Sequence, residues 1–125
     1  THQADNDLET SEIFYGLGIA YCEEKEFNKS LDSYHTCYLL RQELLGESHV
    51  EVAQVLNNVG SVFARAGEYE RALAPWSDAL AMYRDAGLKD DNERVKTTLS
   101  NIALSRNLIS VNKEGDSIIR TFLIY

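Results

Sequence analysis

Apolar positions recur at steps of three and four along most of the chain, which is the spacing of one helix face rather than of a strand. Ile13, Phe14, Leu17, Ala20 and Tyr21 define such a face on a helix running from Thr10 to about Glu24. A turn at Glu24 to Asn28 leads into a second helix, from about Asn28 to Leu45, with Leu31, Tyr34, Tyr38, Leu39 and Leu45 inward. The alternation then repeats. A helix from about His49 to Ala66 turns at Gly67 and returns from Tyr69 to Ala86, with Pro75 inside the return helix, where it removes one backbone hydrogen bond and bends the helix locally. A third unit opens at about Asp91. Residues 1–8 are polar and aperiodic and are expected to fray. Asn112 to Gly115 reads as a turn, followed by an apolar end of Ile118, Ile119, Phe122, Leu123 and Tyr125. That end satisfies a helix and, from Arg120 to Tyr125, nearly as well a strand; the hairpin pattern before it favours a helix.

The repetition is residue by residue. Displaced by 42, Phe14, Leu17, Gly18, Tyr21, Phe27, Ser30, Leu31, Tyr34 and Cys37 fall on Leu56, Val59, Gly60, Phe63, Tyr69, Ala72, Leu73, Trp76 and Ala79. Leu99-Ser100-Asn101-Ile102-Ala103 copies Leu56-Asn57-Asn58-Val59-Gly60 after 43 residues, with Arg106 where Phe63 would recur. A fixed period of this size marks stacked supersecondary units that share one interior. The order Phe14-x-x-Leu17-Gly18-x-x-Tyr21, with a small residue 12 after the Gly and an aromatic four beyond it, resembles the tetratricopeptide repeat. The common unit of that family is about 34 residues, so helices here are longer by on the order of 12 Å per pair. The stretch Leu45-Gly46-Glu47-Ser48-His49-Val50-Glu51-Val52-Ala53, running on to Leu56-Asn57-Asn58, looks like the 42-residue kinesin light chain type, from which it departs by Val50 in place of Pro and by Pro75 one place late. The resemblance implies an all-α fold: a right-handed superhelical stack of antiparallel helix hairpins in one domain over residues 1–125, with units at about 10–46, 49–87 and 91–125, the last degenerate.

Composition narrows the function. The 125 residues contain 44% hydrophobic side chains, enough for one continuous core. Gly46 and Gly87 sit where C-terminal caps would close the return helices. No 18-residue apolar run and no signal-peptide pattern are present, so neither a membrane partner nor secretion is expected, and a cytoplasmic setting suits two unclustered cysteines. Cys37 takes the place of Ala79 and is expected as a buried free thiol. Net charge is −8, of which residues 1–50 carry −7. Nucleic acid is therefore an unfavourable partner, because binding it requires cations that displace phosphate counterions. A basic or neutral peptide is the favoured one.

His2, His35 and His49 are scattered over a terminus, a helix and a helix start, where Ser48 is the candidate cap. No phosphate loop, zinc spacing or nucleophile elbow occurs, so neither enzyme activity, a cofactor nor a metal is expected. The aromatics Tyr21, Phe27, Tyr34, Phe63, Tyr69 and Trp76 belong to the core by register, Trp76 as a wedge within its hairpin. The resemblance implies protein binding on the concave face, lined by the first helix of each unit. An Asn two residues before the Gly commonly holds the backbone of a bound peptide in such repeats, which implicates Asn58 and Asn101, with Asn57, Gln54, Arg65 and Tyr15 beside them. Bracing of neighbouring helices is the competing role for these Asn. The apolar end (Ile118, Ile119, Phe122, Leu123, Tyr125) calls for a cover, either further repeats or a second copy in a homodimer, and makes self-assembly the alternative function.

Overall fold

The computed structural model describes the backbone of residues 2–124 and the side chains of residues 2–116. Among the described residues five helices follow one another: α1 (His2–Glu23), α2 (Phe27–Leu45), α3 (Val50–Arg65), α4 (Tyr69–Asp85) and α5 (Glu93–Ile124). Each packs on the next in chain order. Two antiparallel hairpins, α1–α2 and α3–α4, are thus stacked, and α5 lies against α4.

The two hairpins close in the same way. In α1, Gly18 faces the ring of Tyr34, and a Cβ on that glycine would stand 2.5–2.7 Å from three ring atoms. In α3, Gly60 faces Trp76, whose Cδ1 would lie 2.5 Å from an added Cβ. Only a glycine lets the aromatic lie against the helix backbone. Ser30, 12 residues after Gly18, donates its hydroxyl to the Gly18 carbonyl at 2.6 Å, while its counterpart Ala72 fills the same place without a hydrogen bond, and both are fully buried. Trp76 adds an indole N–H bond to the Asn57 carbonyl at 2.9 Å. The turns also match. Glu26 N–H bonds the Tyr21 carbonyl and Glu68 N–H the Phe63 carbonyl, closing each first helix with a left-handed residue: Gly67 (φ 80°) in one unit and Lys25 (φ 63°) in the other.

Stacking buries the face between hairpins. Val55 and Val62 of α3 pack with Cys22, Tyr34 and Cys37, and Ala53 with Ala79, Tyr83 and Val95. Trp76 and Ala72 continue this interior to Ile102 of α5. Ile13, Leu17 and Ala20, expected inward, are exposed, Ile13 at 63% and Leu17 at 37%. Ile13 is the counterpart of Val55, which is covered by α1 and α2, and nothing among the described residues covers α1 in that way. Leu39, also expected inward, is 49% exposed on α2.

Pro75 lies inside α4 (Tyr69–Asp85), as expected. Three further expectations are corrected. The first helix does not start at Thr10, because α1 begins at His2. The cap of α3 is His49, whose Nδ1 accepts from Glu51 N–H at 3.0 Å, one residue beyond Ser48. The expected turn at Asn112 to Gly115 is absent, and α5 runs unbroken to Ile124, so the third unit is one long helix rather than a hairpin. The lone Gly115 lacks the positive φ of the turn glycines Gly46, Gly67 and Gly87. Ala103, where Gly18 and Gly60 would recur, is exposed, and no aromatic among the described residues crosses it.

These contacts give opposite signs for two neighbouring glycines. Gly18→Ala should lower the unfolding free energy by about 1–3 kcal/mol through overpacking against Tyr34. Gly16→Ala, with nothing within 4 Å of the new methyl, should raise it by about 0.5–1 kcal/mol through helix propensity. Urea melts followed by circular dichroism at 222 nm would check both.

Candidate functional site

On one side of the stack, three clefts meet along α3. The first, about 330 Å³, lies between Ile19, Cys22 and Glu23 of α1 and Asn58, Ser61 and Arg65 of α3. The second, about 350 Å³, lies between Ser61, Ala64 and Arg65 of α3 and Asn101, Leu104 and Leu108 of α5, with Trp76 behind. The third, about 210 Å³, is framed by Gln54, Asn57 and Asn58 on one bank and Glu93, Arg94 and Thr97 on the other, with Tyr83 at its base. Asn58, Ser61 and Arg65 are shared, so the three form one trough walled by α1 and α5 and floored by α3.

Helical periodicity sets which side chains line it. Gln54, Asn58, Ser61 and Arg65 are spaced four, three and four and share one face of α3. Ile19 and Leu104, 39% and 58% exposed, are apolar points on the two walls. Gln54 and Asn101 are half-buried, and no side-chain hydrogen bond engages either of them among the described residues. Their amides can both donate and accept toward a ligand. Arg65 points a guanidinium N–H at the Cys22 sulfur, 3.7 Å away, and is otherwise exposed.

Asn58 is differently placed. Its Nδ2 donates to the Tyr15 hydroxyl at 2.9 Å and to the Tyr34 hydroxyl at 3.2 Å, joining α3 to both helices of the preceding hairpin. Asn57 braces forward: its Oδ1 accepts from Thr98 at 3.0 Å while its carbonyl accepts from Trp76. Tyr15 stands behind Asn58, outside the three clefts, with its ring edge-on to Tyr34 at 5.8 Å. Of the six residues singled out in the sequence, Gln54, Arg65 and Asn101 offer groups to the trough, Asn58 and Asn57 line it while serving as struts, and Tyr15 is a strut. Ile118, Ile119, Phe122 and Leu123 lie on the last turns of α5 with side chains outside the described residues, and Tyr125 lies outside them altogether.

One residue of this network is missed by the sequence reasoning. Arg41 is buried, with its guanidinium 4.6 Å from the Tyr15 ring centroid and an N–H donated to the Glu51 carbonyl at 3.0 Å. The Glu51 carboxylate sits 3.8 Å from Arg41 and 4.0 Å from Arg94. The signal was available: Arg41 follows Tyr34 and Cys37 at helical spacing, and one period on stands Tyr83, only 1% exposed. Among the described residues no cluster of His, Cys, Asp or Glu could hold a metal ion.

Burial governs the ionisation of this network. It pushes Tyr34 up to about 12, against the Asn58 amide, which favours the phenolate. Tyr15 is raised for the same reason, with Asn58 and Arg41 pulling the other way, and burial raises the Cys37 thiol.

Paired helices closed by a glycine–aromatic crossing, repeated at a fixed period and leaving an open trough along their first helices, define a helical-hairpin repeat protein. Residues 9–85, which span α1 from Glu9 onward and then α2 to α4, match the Tetratricopeptide repeat family, and the chain belongs to it. Members of this family mediate contacts between proteins. No curated relative matches the sequence. No helix among the described residues is long and apolar enough to cross a membrane.

The tyrosine pair yields a pH prediction. A folded-state pKa raised above the unfolded value of about 10 contributes stability that is complete below pH ~10 and is lost as pH climbs toward the folded value. Unfolding free energy should therefore be flat near neutrality and decline above pH ~10. Asn58→Ala removes the donor to both hydroxyls. It should move the Tyr34 titration still higher and cost about 1–3 kcal/mol, read by tyrosine carbon-13 NMR titration and urea melts.

Proposed function

We propose that this chain is an adaptor that holds an extended peptide segment of a partner protein in the trough of α1, α3 and α5. The observation that carries the reading is a pair of amides in the trough, Gln54 on the floor of one cleft and Asn101 on the wall of another, neither engaged by a side-chain hydrogen bond among the described residues, with Ile19 and Leu104 as exposed apolar points. An extended peptide presents unpaired N–H and C=O groups, which an amide can meet with one donor and one acceptor. Apolar side chains of the peptide fit Ile19 and Leu104, and a carboxylate or C=O group fits Arg65 or Arg94. The −7 carried by residues 1–50 favours a partner that is basic overall, by steering its approach. The 42-residue period supports placing the repeats with the kinesin light chain type, and two free, buried cysteines suit a reducing, cytoplasmic compartment.

Homo-oligomerisation is the second reading. It rests on α5, a 32-residue helix with Val111 61% exposed and, among the described residues, α4 as its main neighbour. A light-scattering mass of two chains that falls to one in the Phe122→Asp, Tyr125→Asp variant would favour this reading.

For the trough, peptides selected from a random display library provide the ligand. Asn101→Ala and Gln54→Ala should each weaken capture by about three- to tenfold, the worth of one lost hydrogen bond, with the helical circular dichroism signal unchanged. Peptides whose binding is indifferent to both substitutions would overturn the assignment.

A further inference from the structure

A second recess lies on the other side of α3 and is chemically unlike the trough. It encloses about 460 Å³ between the two return helices. Its floor is Leu56, Val59 and Phe63 of α3; its walls are Leu31 and Tyr38 of α2 and Met82 of α4. At about 3.6 residues per turn, Leu56, Val59 and Phe63 point away from Gln54, Asn58 and Ser61, so the two recesses share a helix and not a face. The rim bears Asp32 and His35 on one wall and Asp78 on the other, all exposed, and neither carboxylate has an ion pair among the described residues.

The cations of the wall helices are committed elsewhere. Lys29 lies over the Tyr21 ring at 5.8 Å, Arg41 is buried against Glu51 and Tyr15, and Arg84 pairs with Asp90 at 3.0 Å. Arg71 covers the Phe63 ring at 4.6 Å and is itself paired with Glu68 at 3.3 Å. The slot thus has an apolar floor and a carboxylate on each bank, with no lysine or arginine lining it.

We propose that this slot receives an amphipathic helix of a partner protein, with apolar residues spaced three and four apart laid on Leu56, Val59 and Phe63, and a Lys or Arg on each flank meeting Asp32 and Asp78. A helix rather than an extended segment follows from the floor, which offers no donor or acceptor. An extended backbone would bury unpaired N–H and C=O groups there, whereas a helix satisfies its own. The Tyr34 hydroxyl accepts from Asn58, a residue of the trough face. Cationic flanks follow from the two unpaired carboxylates, which steer a basic helix and repel an acidic one. This is the helix-in-groove mode of recognition, on a surface separate from the trough.

The chain has one methionine, Met82, and it lines the slot, so a single carbon-13 methyl resonance reports occupancy. The probe is a designed helical peptide with leucines at i, i+3 and i+7 and lysines on both flanks, titrated into the intact chain. The Met82 methyl should shift saturably. The Asp32→Lys, Asp78→Lys variant, altered only at exposed positions, should bind at least about tenfold more weakly with its helicity unchanged, and Asn101→Ala should bind as the parent does. A glutamate-flanked version of the peptide that binds equally well would overturn the proposal. So would a proline-broken, extended version that does so, or a lysine-flanked peptide that leaves the Met82 resonance unmoved.

Discussion

The structure depends on one close approach made twice: an aromatic ring of the return helix lying directly on a glycine of the first helix. Tyr34 on Gly18 and Trp76 on Gly60 set the separation within each hairpin, because no side chain stands between ring and backbone. Everything that stacks inherits that separation. Val55 and Val62 reach Cys22 and Cys37 because the first hairpin is closed, and Ile102 reaches Trp76 because the second is. Where the glycine is replaced, at Ala103, α5 continues as a single helix over Glu93–Ile124.

Between hairpins the interior is partly polar, and the polar groups are fully matched. No buried side-chain nitrogen or oxygen among the described residues lacks a hydrogen-bond partner. Asn58 bonds back to Tyr15 and Tyr34, Asn57 bonds forward to Thr98, and Arg41 ties α2 to the start of α3 through Glu51. A buried amide or guanidinium left unpaired would cost a few kcal/mol, so these struts fix the register of one hairpin on the next more sharply than apolar contact could. They also hold the two recesses in fixed relation, since α3 carries the amides of one on one face and the apolar floor of the other on the opposite face.

Much of this was legible in the sequence because a period converts single residues into pairs that test each other. Gly18 with Gly60, and Tyr34 with Trp76, announced the crossing. Lys25 opposite Gly67 did not announce that it would share the left-handed turn conformation, since that is imposed by the Tyr21–Glu26 closure rather than by residue preference. Asn58 was read chiefly as a ligand group. Its tyrosine partners lie 43 and 24 residues away, and only the stacking brings them together. Arg41 carries a charge that ordinarily belongs at the surface, although its spacing from Tyr34 and Cys37 points inward. The turn expected at Asn112 to Gly115 failed for a simpler reason: polar residues and one glycine are compatible with a helix when no closing contact ends it.

The fold requires two equivalent crossings. Proton NMR measures them directly, because a glycine lying on an aromatic face feels its ring current. The Hα protons of Gly18 and Gly60 should both be displaced strongly upfield, with nuclear Overhauser effects to the Tyr34 and Trp76 rings respectively. Glycine Hα shifts at unfolded-chain values with no effect to either ring, or a crossing seen in one hairpin and not in the other, would contradict it.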